Sequence, residues 1–302
     1  MMRLLKRSIV VLLALFLCWT GEYVFGWGSR LQSIMLSLTT SEQQKQQSIW
    51  LPSYSVDIEA LPLSGVDNNV SGITYSPKQD SLFVIVNQPP TVLELDKHGG
   101  VVRKIALEGF HDTEAIAYIG GDQFAIAEER EQRITLVEIT KDTDKIKRDS
   151  QPQIQLVFGP KTNKGFEGIA ADQTANRIIV VKERSPLKIY EIFRLKHEET
   201  GNFSLRVEMP DSLRWSSLFM ADLSGLHFDH KTRNLLLLSD ESKRVTEVNA
   251  SGETVSMLEL RHGYGGLARH IPQAEGVTLD DENNLYVVSE PNLLYRFRKV
   301  VQ

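Results

Sequence analysis

From about residue 70 onward, short apolar runs alternate with clusters of Asp, Asn, Gly and Pro, and one pattern returns five times. Each unit opens with a polar residue, a small residue and a short apolar strand. The openings are Ser71-Gly72-Ile73-Thr74-Tyr75, Glu114-Ala115-Ile116-Ala117-Tyr118, Glu167-Gly168-Ile169-Ala170-Ala171, Ser224-Gly225-Leu226-His227-Phe228 and Glu275-Gly276-Val277-Thr278-Leu279. Their starts lie 43, 53, 57 and 51 residues apart. Turn residues follow most of them, as in Gly120-Gly121-Asp122 and Asp280–Asn284. Near-continuous apolar second strands come next, at Leu82–Val86, Gln123–Ala127, Ile178–Val181, Leu235–Leu238 and Leu285–Val288. Third strands alternate, as in Thr91–Leu95 and Ile134–Ile139, which marks half-burial. Fourth strands are expected at Val101–Leu107, Ile154–Phe158, Phe203–Val207 and Thr254–Leu260. Four strands every ~50 residues, with little helical periodicity, predict an all-β fold, a five-bladed β-propeller. A sandwich would also have short strands, but would not repeat the same opening five times.

The fifth unit ends after its third strand, Leu294–Phe297, whereas a strand-like stretch, Tyr54–Ala60, precedes the first unit. That stretch is expected to close the last blade as its outer strand, which covers an exposed edge. Upstream, Arg3, Lys6 and Arg7 precede an apolar run from Ile9 to Trp19, and apolar character resumes through Trp27. Basic residues before a hydrophobic segment mark an export signal whose N-terminal side stays in the cytoplasm. Counted through Trp27, the segment approaches the ~20 residues of a membrane span. The organisation expected is a signal-anchor at 1–28, a polar linker at 29–52 and the propeller at 53–302. The propeller then faces the periplasm on a single-pass tether in the inner membrane. A cleaved signal and a soluble periplasmic domain are the alternative.

Composition narrows the chemistry. The net charge is −5 over 302 residues, so no domain-wide basic surface invites nucleic acid. The one cysteine, Cys18, lies in the apolar segment, which leaves the propeller without disulfides or cysteine metal sites. G-x-S-x-G, P-loop and H-E-x-x-H motifs are absent. His111 and His270 precede first strands as possible bases.

The acids are more informative. In antiparallel strands, the residue before the first strand and the residue after the second lie at the same end of a blade. The first position reads Ser71, Glu114, Glu167, Ser224, Glu275, and the second Asn87, Glu129, Glu183, Glu241, Glu290. Seven of these ten are Glu, and Asp112 and Asp222 lie two residues upstream in their units. Like carboxylates crowded at one mouth raise each other's pKa, and a cation relieves the repulsion. Oxygen ligands without Cys or paired His favour Ca²⁺ over zinc. The expected metal residues are Glu114, Glu167, Glu275, Glu129, Glu183, Glu241 and Glu290. Arg130 and Arg184 directly follow two of these acids, and salt bridges to them are the rival reading.

At several of these positions the chain resembles the SdiA-regulated family. The matching stretches are Gly165-Phe166-Glu167-Gly168, Gln273-Ala274-Glu275-Gly276-Val277, and Val288-Ser289-Glu290-Pro291-Asn292 followed by Tyr295-Arg296-Phe297. Asp122-Gln123-Phe124 with Glu129-Arg130, and Leu238-Ser239 with Glu241-Ser242, match as well. The resemblance covers about 55–302. It implies a five-bladed propeller distantly related to NHL-repeat proteins, with a bound calcium ion and no established activity. Two functions are therefore expected. The first is a calcium-binding propeller that holds a small molecule or protein on its acidic face. The alternative is a calcium-dependent hydrolase of lactones, esters or phosphoesters.

Overall fold

A computed structural model of the chain describes residues 27–156, 165–182, 187–195, 204–210 and 220–300. Helix α1 spans Trp27–Thr39, α2 spans Glu42–Gln46, and a 3₁₀ turn at Leu51–Ser53 leads into strand β1, Tyr54–Pro62. Five blades follow. Blade 1 holds β2 (Val70–Ser76), β3 (Ser81–Val86), β4 (Thr91–Leu95) and β5 (Val101–Glu108). Blade 2 holds β6 (Thr113–Gly120), β7 (Gln123–Glu128) and β8 (Arg133–Glu138). After β8 the chain makes β9 (Lys145–Lys147), which adds in parallel to β5 of blade 1, and then β10 (Gln153–Gln155), the outer strand of blade 2. Blade 3 is β11 (Phe166–Asp172), β12 (Arg177–Lys182), β13 (Lys188–Leu195) and β14 (Ser204–Glu208). Blade 4 is β15 (Gly225–Phe228), β16 (Leu235–Ser239), β17 (Arg244–Val248) and β18 (Thr254–Glu259). Blade 5 is β19 (Gln273–Leu279), β20 (Leu285–Glu290) and β21 (Leu293–Lys299), completed by β1. The fold is the five-bladed propeller read from the repeats, and β1 closes blade 5 in antiparallel register, from Tyr54↔Lys299 to Pro62↔Leu293.

The core is divided into five slabs, one in each seam between neighbouring blades. Strand alternation explains how one run serves two seams. Along β3, Leu82, Val84 and Val86 pack toward blade 5, whereas Phe83 and Ile85 pack toward blade 2. Along β16, Leu236 and Leu238 enter the seam with blade 5, and Leu235 and Leu237 the seam with blade 3. Second strands are therefore buried on both faces, which is why their sequences are near-continuous hydrophobic runs.

The polar stretch at 29–52, expected as a linker, is instead α1 and α2 with a docked exit. Ser41 caps α2, its side chain accepting from Gln44 N–H while the Gln44 side chain accepts from Ser41 N–H. Ile49 and Leu51 are buried in the slab between blades 4 and 5. Ile49 N–H donates to Glu247 Oε1 at 2.9 Å and Leu51 N–H to Ser256 Oγ at 3.1 Å. The Gln-rich composition concealed a short capped helix and two apolar anchors. Residues 1–26, with the apolar run Ile9–Trp19, lie outside the described residues. Among the described residues no helix is long and apolar enough to cross a membrane.

Candidate functional site

In four of the five blades the polar residue that opens the repeat sits at a strand irregularity. Register passes from Thr113↔Glu128 to Ala115↔Ala127 around Glu114, and from Phe166↔Lys182 to Gly168↔Val181 around Glu167. It passes from Ala274↔Ser289 to Gly276↔Val288 around Glu275, and in blade 1 the shift spans Ser71 and Gly72. A bulge takes one residue out of the ladder and re-aims its side chain. The small residue that follows has a separate cause, because the inner strands crowd together at this end. A Cβ on Gly276 would lie 2.7 Å from Ile73 N, and one on Gly72 would lie 2.9 Å from Ala115 Cα.

Three of the acids meet between blades 1, 2 and 3. Asp112, Glu114 and Glu129 each offer a carboxylate oxygen, all within 4.8 Å of one another. Glu114 Oε1 accepts from Asn87 Nδ2 of blade 1 at 2.6 Å. Glu129 Oε1 accepts from Gly165 N–H, at the entry to blade 3, at 2.9 Å. Asp112 has a left-handed backbone (φ 56°), and its carbonyl accepts from Glu129 N–H at 2.9 Å. The Arg130 Nε lies 3.2 Å from Asp112 Oδ2, which gives Asp112 a cationic partner. Asn87 Oδ1, on the side chain that bonds Glu114, is buried without a hydrogen-bond partner.

Blade 5 extends the negative field. Burial pushes Glu114 up to about 8; a hydrogen bond with Ser71 opposes this, and Asp112, Glu129 and Glu290 reinforce it. Burial likewise pushes Glu275 up to about 8, opposed by Gln273 and reinforced by Glu114, Glu290 and Asp240. Glu290 is also raised by burial. Glu114 and Glu275 are thus held toward the neutral form by desolvation first, with neighbouring carboxylates reinforcing it.

Blade 4 contributes differently. Glu241 is exposed. The buried acid there is Asp222, raised by burial, whose oxygens accept from Ser239 Oγ and from Glu241 N–H, the latter at 3.2 Å. Asp240 Oδ1 accepts from Ala274 N–H at 2.8 Å and pairs with Lys243 Nζ at 2.5 Å. Glu167 is half-buried at its bulge, outside the three-carboxylate group. Glu183 and Arg184 lie outside the described residues. Asp240 escaped the sequence reading, which placed Asn87 at this mouth but not among the metal residues. Asp240 directly precedes Glu241, and choosing one acid of that pair by strand position picked the exposed member. His111 and His270 are both exposed, and His270 Nδ1 accepts from His262 N–H at 3.2 Å.

Toward the other ends of the inner strands lies a cavity of about 240 Å³, lined mainly by apolar residues such as Ile73, Ala117, Ala170, Leu226 and Leu279. His227 lines it too, with Nδ1 3.2 Å from Thr278 Oγ1, and burial lowers this imidazole to about 4.

The model of the SdiA-regulated family matches residues 46–298, most of the chain. The chain belongs to the SdiA-regulated family. The match takes in every blade of this SdiA-regulated protein, together with β1 and the docked residues Ile49 and Leu51. Among solved structures it is similar to a luciferin-regenerating enzyme (TM-score 0.49, 11% identity, 80% of this chain and 95% of that one). It is similar to a chain of a nidogen/laminin complex (TM-score 0.45, 16% identity, 74% and 73%). It is also similar to a streptogramin B lyase (TM-score 0.44, 11% identity, 81% and 97%). Likenesses at this level bear on neither the ligand nor the chemistry of the SdiA-regulated protein.

Proposed function

We propose that the acidic mouth is a Ca²⁺ site, and that the cation-loaded face serves a binding or scaffold role in an exported propeller tethered to the inner membrane. The observation that carries this is the Asp112–Glu114–Glu129 group, with the unpartnered Asn87 Oδ1 on the side chain bonded to it. The donor set fits the ion: all are oxygens, several are anionic, and the arrangement is irregular, which Ca²⁺ accepts more readily than Mg²⁺. Asp112, Glu114 and Glu129 would hold it, with Asn87 Oδ1 as a neutral oxygen and Glu275 and Glu290 adding negative field. When bound, the ion neutralises these carboxylates and offers positive charge to an oxygen-bearing ligand. A hydrolytic role would need a base aimed at the scissile group, and the two histidines near this end in sequence are exposed. The binding reading is therefore preferred.

The test is calorimetric titration of Ca²⁺ into chelator-treated protein, with thermal melts in parallel. Binding with a raised melting temperature is expected, because a ligand of the folded state stabilises it by mass action. No heat and no shift at millimolar Ca²⁺ would reduce the mouth to a solvated acidic rim. A panel of ester, lactone and phosphoester substrates, with and without Ca²⁺, tests the hydrolase alternative.

A further inference from the structure

Helix α1 has two distinct faces. Gln32, Ser33 and Leu36 are half-buried, as is Thr40 just past the helix end. Arg244 Nη1 donates to Gln32 Oε1 at 3.1 Å, and Thr40 Oγ1 donates to the Val255 carbonyl at 3.4 Å. This face packs on β18, the outer strand of blade 4. The other face carries Leu31, Ile34, Met35 and Leu38, which are 63%, 55%, 63% and 80% exposed. Spacings of three, four and seven put them in one stripe along the helix. They are four of the nine large hydrophobic residues exposed among the described residues, and the other five do not share an element in this way. The polar residues beside the stripe are turned inward: Ser37 Oγ donates to Ile34 O at 2.7 Å and Thr39 Oγ1 to Met35 O at 2.8 Å. Their hydroxyls are thus satisfied without water.

What covers this stripe is indicated by the chain that enters it. Immediately before α1 come Tyr23, Val24 and Phe25, preceded by the apolar run Ile9–Trp19 and the basic residues Arg3, Lys6 and Arg7. If that segment is the tether proposed above, the helix begins at the headgroup level of the bilayer, with its apolar face uncovered by the described residues. We infer that α1 is an interfacial helix. Its Leu31–Ile34–Met35–Leu38 face lies at the boundary of headgroups and acyl chains, and it seats the propeller on the membrane by the rim of blade 4. A two-faced helix of this kind binds a bilayer surface through buried apolar area. Because β18 is an outer strand, lipid meets the rim, and both ends of the inner strands stay open to solution. The inference rests on the membrane reading above, but the two can fail separately.

The experiment uses the full chain with Cys18→Ser and a single cysteine in place of Ile34, Leu38 or, as control, Lys141, an exposed residue on the blade 1–2 side. Each variant carries an environment-sensitive fluorophore and is reconstituted in phosphatidylethanolamine–phosphatidylglycerol vesicles containing shallow spin-labelled lipid. The expected result is flotation of all three variants, quenching at positions 34 and 38, and none at 141. Protein that does not float overturns the membrane reading and this inference together. Protein that floats while positions 34 and 38 remain water-exposed overturns the inference alone. So does a blue-shifted but unquenched label, which means that protein, either a second copy or residues 1–26, covers the stripe.

Discussion

At the scale of single residues, Glu114 and Glu275 set the behaviour of the acidic mouth. Both carboxyls are pushed from 4.5 up to about 8. Between those values the folded state holds protons that the unfolded chain has released, so raising the pH costs stability. Burial of His227 and His230 lowers their pKa values from 6.5, which acts in the opposite direction but only below that pH. The expected outcome is that chelator-treated protein melts at progressively lower temperature from about pH 6.5 to about pH 8, and that saturating Ca²⁺ flattens this slope, because a cation site is filled by deprotonated ligands. Glu114→Gln should act with two signs. Without Ca²⁺ it removes a desolvated titrating group and raises the melting temperature at pH 8. In titrations it weakens Ca²⁺ binding by roughly tenfold or more. The same substitution at exposed Glu241 should change neither quantity. A Glu241→Gln variant that loses Ca²⁺ as Glu114→Gln does would move the site into blade 4. Of this mouth, the positions of Glu114, Glu129, Glu275 and Glu290 were legible, because strand-end geometry follows from the repeat alone. Burial was not legible. Whether Asp240 or Glu241 turns inward depends on the Lys243 pairing and the Ala274 N–H, contacts that no local pattern encodes.

At the scale of elements, the closing strand was legible and its reinforcement was not. Blade 5 lacked an outer strand and Tyr54–Ala60 was spare, so pairing followed by elimination. The register is reinforced by Asp57 on β1, which receives Arg296 Nη2 at 2.7 Å and Nε at 3.0 Å, and Arg298 Nε at 2.9 Å. Arg296 is 5% exposed and also donates to the Lys97 carbonyl at 2.8 Å. Asp57→Ala leaves that buried guanidinium without its counter-charge and should destabilise by about 3 kcal/mol in urea unfolding, as breaking one side of a buried pair does. Asp57→Ala with Arg296→Met should recover part of the loss. Truncations should be graded rather than all-or-none at the strand. Removing 1–40 should cost little. Removing 1–50 deletes buried Ile49 and its bond to Glu247, and should cost about 2–4 kcal/mol. Removing 1–62 takes β1 itself and should prevent cooperative folding. Equal melts for the 1–50 and 1–62 deletions would contradict strand closure.

At the scale of the whole molecule, the repeat and the five seams state the same fact in two ways. Each blade is hydrophobic on both faces because each face belongs to a different seam, so a blade alone cannot bury its core. Gly276→Ala tests how tightly the inner strands are drawn together, since its new Cβ would meet backbone atoms of blade 1. A loss of about 1–3 kcal/mol is expected by chemical denaturation, typical of overpacking where the neighbour cannot yield. The tether reading has its own test: a C-terminal alkaline phosphatase fusion should be active and should pellet with membranes. An inactive fusion would reverse the orientation, and a soluble product shortened by about 25 residues would mark a cleaved signal.

Pairing the first strand of the propeller with the last has a consequence for how the molecule is made. Tyr54 meets Lys299, so the closure joins the first and the last of the described strands to be synthesised. In a chain synthesised N-terminus first, blades 1 to 4 can assemble in turn, while β1 remains a lone strand without its neighbour. Contacts of such long sequence separation form late, because the loop between them must first be ordered. Four stacked blades shorten that search by bringing β1 close to where β21 will arrive. Ring closure then acts as a completion check: until β21 is made and pairs with β1, blade 5 keeps an open edge that proteases and other strands can reach.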